Sequence, residues 1–168
     1  DWSSDVCSSD LQVFEEYARW ISPIGMSPRR IAKPWTIRDV AFETNERVFL
    51  MFGSANRDEK HFSEPDRFDI RRDASKSIAF GAGPHFCAGA WASRAMVADV
   101  ALPAIFTRLT NLRLIEDRPP RIGGWAFRGL LDLPGDVVGA QEEGARQLLV
   151  AVGHAGRAGQ GLPQVLQQ

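Results

Sequence analysis

Phe80-Gly81-Ala82-Gly83-Pro84-His85-Phe86-Cys87-Ala88-Gly89 is the stretch around which the chain is organised. It places one cysteine in a glycine-rich loop directly before a long apolar segment that reads as a helix. Metals are bound by thiolate rather than thiol, and the free N–H groups and dipole of a helix N-terminus favour that anion. Cys87 holds such a position. Gly81, Gly83 and Gly89 allow positive φ and let the backbone lie against a flat partner that bulkier residues would hold away. The loop is suited to presenting one sulfur to something broad.

Two other readings of the loop fail on spacing. Gly81-x-Gly83 would open a dinucleotide fingerprint only with a third glycine at 86 and a strand just before it. Phe86 stands there, and Ile78-Ala79-Phe80 is too short for a strand. A thiol nucleophile built from Cys87 with His85 or His61 needs a base in reach and a third group to orient it. Residues two apart rarely meet as nucleophile and base, and nothing local supplies the third group. A cysteine met alone is most often a small buried hydrophobe, so the argument for a ligand rests on the aromatic and glycines in register with Cys87.

The spacing Phe80-x-x-Gly83-x-x-x-Cys87-x-Gly89 resembles the haem-binding loop of cytochromes P450, and His85, two residues before the cysteine, resembles the soluble bacterial branch. This resemblance implies haem b (iron protoporphyrin IX) as cofactor. Cys87 would be its axial thiolate, which pushes electron density toward O–O cleavage. Phe80 would pack beside the sulfur, His85 would face a propionate, and Gly81 and Gly89 would complete the cofactor-binding loop.

Composition narrows the class without naming a function. The 168 residues suit one domain, and 44% hydrophobic residues suffice for a core. Twenty Lys plus Arg against 21 Asp plus Glu give a net charge of -1, with no basic stripe that would announce nucleic acid. Cysteines at 7 and 87 form neither a zinc cluster nor a disulfide framework, which points to a reducing, cytoplasmic setting. No run approaches the roughly 20 apolar residues of a membrane span, and no signal peptide is visible.

Upstream of the loop, residues 1–10 repeat Ser-Ser-Asp around Val6 and Cys7 without an apolar period, and read as an unrelated or disordered leader in which Cys7 has no role. A helix is expected from Leu11, because Leu11, Phe14, Ala18 and Ile21 fall on one face and Ser22-Pro23 ends the pattern. It carries Glu16-Tyr17-Ala18-Arg19, and an acid and a base three apart on a helix are neighbours. By resemblance this is the K-helix Glu-x-x-Arg, joined by Arg67 of Pro65-Asp66-Arg67-Phe68 in a structural rather than catalytic triad. Arg29 and Arg30 point to opposite faces of an extended segment. The family places an arginine near here on a haem propionate, and Arg30 aligns best, with Arg29 the alternative. Thr36 to Phe52 reads as two strands around the turn Glu43-Thr44-Asn45-Glu46, where Asn45 tolerates the left-handed conformation. Gly53-Ser54-Ala55-Asn56-Arg57-Asp58 then leads into a polar meander similar to the family's Asn-Arg-Asp.

Downstream, Ala88 to Leu109 reads as a helix kinked near Pro103, Asn111 to Ile115 as a short strand, and Gly123 to Leu130 resembles the terminal hairpin bordering the substrate pocket. Ser93-Arg94-Ala95-Met96 keeps the arginine of the family's Ala-Arg-x-Glu and loses the acid. Beyond Leu133-Pro134 the resemblance stops, and residues 135–168 form an atypical glycine-rich tail. Gln141 to Val152 could make one weak helix, and His154 has no ligand spacing.

The expected fold class is α+β, the C-terminal part (residues 11–134) of the mainly helical cytochrome P450 fold: K-helix, small β-sheet, meander, Cys loop, long L-helix and terminal β-hairpin. By resemblance the function is that of a haem-thiolate monooxygenase inserting one atom of O2 into a small organic substrate, with electrons from a ferredoxin or flavin reductase partner. A thiolate-ligated haem sensor or carrier and a cofactor-free structural fragment are the rival readings. The fragment is expected to be inactive alone, because the family's oxygen-activating helix, with an acid beside a threonine, precedes the Glu-x-x-Arg segment. No Asp-Thr or Glu-Thr pair stands upstream of Glu16, and Glu43-Thr44 lies on the wrong side of that order.

Overall fold

α1 (Trp2–Ile21) buries Phe14, Ala18 and Ile21 of the apolar side that its spacing marks out and leaves Leu11, the first residue of that pattern, exposed. It stops at Ser22, whose N–H still donates to Ala18 O at 3.0 Å but whose φ of 46° leaves the helix. Pro23 then cannot continue it. The helix begins well before Leu11, where the apolar periodicity starts. The computed structural model describes residues 2–109 and 112–137. The anticipated helix within 141–152 and His154 lie outside the described residues.

Two compact units divide the chain. The first comprises Gln12–Trp91 with Trp125–Arg128. In it β1 (Ser27–Arg30) pairs antiparallel with β4 (Arg47–Leu50), Arg30 opposite Arg47, while β2 (Trp35–Ile37) pairs with β3 (Val40–Phe42). The turn at 43–46 therefore does not join two partnered strands, as expected, but returns the chain to β1. Asn45 has φ 72°, as its tolerance of the left-handed region suggested, and its N–H donates to Ile31 O at 2.8 Å, which closes the β1–β4 ladder. The short α2 (Phe52–Ala55) follows. Trp125–Arg128 lies along the segment after α1, with Arg128 N donating to Pro23 O and Gly25 N to Ala126 O, each at 2.8 Å.

The second unit holds Ala92–Gly124, the described chain from Gly129 onward and the described residues up to Leu11. A helical run starts at α3 (Ala90–Arg94), widens to a π-helix over Ala95–Ala101 and returns to α4 (Leu102–Arg108). The expected kink near Pro103 is thus a change of register ahead of the proline. Pro103 has no N–H for the carbonyl four residues back, and Leu102 N already reaches past its usual partner to Val97 O. β5 (Leu112–Leu114) pairs with β8 (Gly135–Val137), and β6 (Arg121–Gly123) with β7 (Gly129–Asp132). β8 extends ordered sheet past Pro134, beyond the end of the motif pattern. Among the described residues no helix is long and apolar enough to cross a membrane.

Candidate functional site

The site begins with a buried ion pair on α1. Glu16 and Arg19 are fully buried, and Arg19 grips both carboxylate oxygens, Nε to Oε2 at 2.7 Å and Nη2 to Oε1 at 2.8 Å. This fork is the strong, geometrically specific form of the Arg–carboxylate pair. Glu16 Oε1 also accepts from the Asp69 N–H at 2.9 Å and from Arg72 Nε at 3.2 Å. Burial pushes the Glu16 carboxyl up, yet the bonds from Arg19, the Asp69 N–H and Arg72 together outweigh it and hold the group below its ordinary value.

Arg72, not Arg67, is the second guanidinium of the triad. Arg67 turns outward to Glu64 at 3.2 Å, because its N–H closes a turn on Glu64 O and leaves the two side chains together at the surface. Arg67 contributes its backbone instead: its carbonyl accepts from Arg19 Nη2 at 3.3 Å and Arg72 Nη2 at 3.2 Å. Arg19 Nη1 reaches Asn56 O at 2.8 Å and Pro65 O at 3.0 Å. A second knot ties the meander to the end of α1. Arg57 stacks over the Trp20 ring at 5.0 Å, pairs with Asp66 and donates to Trp20 O, while Trp20 Nε1 donates to Asp66 O at 2.8 Å.

Asn56, to which sequence reasoning assigns no role, is fully buried at the end of α2. Its Nδ2 donates to Ser22 Oγ at 2.9 Å, and its Oδ1 accepts from the Ile78 N–H at 2.8 Å and the Ser77 hydroxyl at 3.3 Å. Only the fold joins these segments. The motif Asn56-Arg57-Asp58 is visible in the sequence, but nothing in it tells which distant N–H it will meet.

From Ile78 the chain turns into the cysteine loop. Gly81 N donates to Ile78 O, and Cys87 N donates to Phe80 O, both at 2.9 Å, around a 3-10 turn over Gly83–His85. Gly81 and Gly83 have φ 72° and 67°, so the left-handed turns expected of them are present. Gly89 does not have a positive φ, contrary to expectation; a Cβ there would stand 3.8 Å from Cys87 Sγ, so what glycine provides is open space beside the sulfur. The Phe80 ring lies between Phe14 and Phe86, with centroids 6.1 and 6.4 Å away. Cys87 is an exposed free thiol, and its carbonyl accepts from Ala90 N at 3.2 Å where α3 begins.

Beside the loop is a hollow of about 400 Å³. Leu50, Met51, Phe52, Ala55 and Ile78 give it an apolar lining, Gly81 and Ala82 form the loop's part of its wall, and Arg29 and His85 bring the cationic and titratable groups. The two arginines of β1 diverge as alternation requires. Arg29 borders the hollow, whereas Arg30 Nη1 donates to Asn45 O at 2.9 Å and is not among the lining residues.

Comparison with known proteins agrees with this architecture. The family model described as Cytochrome P450 matches residues 11–112. The chain is 35% identical over 120 residues to the steroid C26-monooxygenase of Mycolicibacterium smegmatis, an overlap covering 70% of this chain and 30% of that protein. It is 38% identical over 125 residues to cytochrome P450 107B1 of Saccharopolyspora erythraea, covering 71% of this chain and 30% of the relative. Among solved structures it is similar to P450BioI in complex with hexadec-9Z-enoic acid ligated acyl carrier protein, with a TM-score of 0.70, 32% identity, and coverage of 80% of this chain and 34% of that one. The chain thus spans about 30% of the length of the curated relatives it matches. With a family match over more than half its residues and the corresponding fold, the chain belongs to the cytochrome P450 family, whose members bind haem b.

Proposed function

We propose that residues 11–134 are the haem-thiolate part of a monooxygenase, in which Cys87 would supply the thiolate that holds the iron. The observation that carries this reading is an exposed thiol, its own amide anchored to Phe80 O, on the same loop whose Gly81, Ala82 and His85 line an apolar hollow that Arg29 also borders; Cys87 itself is not among the lining residues. An apolar lining with a guanidinium and an imidazole suits a flat macrocycle bearing carboxylates, and Gly81 raises no side chain against it. With haem bound, Phe80 would pack beside the sulfur, Gly89 would leave it uncrowded, and His85 with Arg29 would hold the propionates. Arg30, the better match on sequence, does not line the hollow and donates to the Asn45 carbonyl, while Arg29, which does, donates to Ser27 Oγ and Pro28 O.

When bound, haem supplies O2 activation and insertion of one oxygen atom into an organic substrate. The chain's residues hold and orient it: the buried Glu16–Arg19–Arg72 cluster fixes the meander, and the loop presents Cys87 with a glycine beside the sulfur. Electrons come from a ferredoxin or flavin reductase, and the protein works in the cytoplasm. Residues 1–10 and 135–168 are the leader and tail outside this family pattern.

The test is the ferrous–CO spectrum of the haem-loaded chain. Cys87→Ala is expected to abolish the red-shifted Soret band of a thiolate-ligated adduct, while Cys7→Ala leaves it unchanged. A red-shifted band that persists in Cys87→Ala would refute the ligand assignment.

A further inference from the structure

We infer that Asn56 is the positioning residue of the cysteine loop: its side-chain oxygen sets the height at which Ile78 enters the loop, and through Phe80 O the height of Cys87. This rests on the haem-thiolate reading for its functional consequence, but its structural core does not depend on it. Asn56 is fully buried, and its amide is used on both sides. On one side it is anchored to the end of α1 at the buried ion pair, since Nδ2 donates to Ser22 Oγ, Ser22 Oγ donates to Arg19 O at 2.9 Å, and Asn56 O accepts from Arg19 Nη1. On the other side Oδ1 accepts from the Ile78 N–H and the Ser77 hydroxyl, and Ser77 Oγ accepts in turn from Ala79 N at 3.3 Å. The segment 77–79 is neither helix nor strand. Its backbone is therefore satisfied by a side chain from elsewhere rather than by a ladder. Two residues on, Phe80 O receives the Cys87 N–H. Asn56 is thus the link between a buried ion pair and the cysteine loop, its amide nitrogen donating toward Ser22 while its amide oxygen accepts from Ile78.

Two variants separate this from general destabilisation. Asn56→Ala loses both sides; Ser22→Ala cuts the anchor and leaves the Asn56 Oδ1 acceptor facing Ile78. In the 168-residue chain without haem, amide exchange over residues 78–87 is expected to accelerate about tenfold in Asn56→Ala, the scale of losing one or two buried hydrogen bonds, and to rise clearly less in Ser22→Ala. Exchange in α4 serves as the control and should not change. With haem, Asn56→Ala should lower the fraction of ferrous–CO complex showing the thiolate band at equal haem content, with Ser22→Ala retaining more of it. Unchanged exchange over 78–87 in Asn56→Ala, or equal acceleration in Ser22→Ala, overturns the inference. A wild-type chain that binds haem without the thiolate band would instead overturn the proposed function, while the exchange result would still decide the role of Asn56.

Discussion

Glu16 and Cys87 belong to the same unit, and the fold treats these two anion-forming groups in opposite ways. Glu16 is fully buried and saturated by a bidentate guanidinium, a backbone N–H and a second guanidinium. Cys87 is exposed, and the polar bonds around it hold its backbone rather than its sulfur. The difference follows from cost. A charge taken out of water must find partners for its lone pairs or be neutralised, so the carboxylate serves as structure. On the proposed reading of Cys87 as the iron ligand, its sulfur has to keep its coordination open, so only the backbone that carries it is fixed.

The largest effect should come from breaking the buried side of this contrast. Glu16→Ala strands two guanidiniums and is expected to destabilise the unit by roughly 3–5 kcal/mol in denaturant unfolding. Arg67→Ala, which removes only an exposed pair with Glu64, is the control and should cost about 1 kcal/mol or less. Equal losses in the two variants would show that the buried cluster is no stronger than a surface contact. The same cluster predicts an acid dependence. The Glu16 carboxyl is held below its ordinary value in the folded chain, so its contribution is present in full above the unfolded carboxylate range and is lost as pH falls through the folded value. Unfolding midpoints measured downward from neutral pH should therefore drop in the wild type and respond less to acid in Glu16→Gln, which carries no titrating group at this position. A smaller effect belongs to the loop. At Gly83, with φ 67° and no atom within 4 Å of an added Cβ, Gly83→Ala meets no steric obstacle and should cost about 1–2 kcal/mol for the left-handed backbone alone. Its expected signature is faster amide exchange within 80–87 with little change in global unfolding; wild-type exchange there would mean that the loop does not depend on that conformation.

Features encoded by neighbours along the chain are legible in the residues themselves. The i, i+3 pairing of Glu16 with Arg19 follows from helix geometry. The turn at Asn45 follows from a residue that tolerates positive φ, and the cysteine loop follows from glycines and an aromatic at set spacings; each is a local property written in a handful of residues. The long-range partners are set by the tertiary path. Arg72 reaches Glu16 across 56 residues, and Asn56 meets Ile78 across 22. The choice between Arg67 and Arg72, or between Arg29 and Arg30, depends on which way a turn or strand faces once its neighbours are in place. β4 pairs with β1 rather than β3 for the same reason, since either antiparallel pairing satisfies the local pattern. Residue type and spacing thus dictate where charge, turn and sulfur stand along the chain. Which of them are buried together is a property of the packed fold, because a buried polar atom takes whichever partner the folded backbone brings within hydrogen-bond reach.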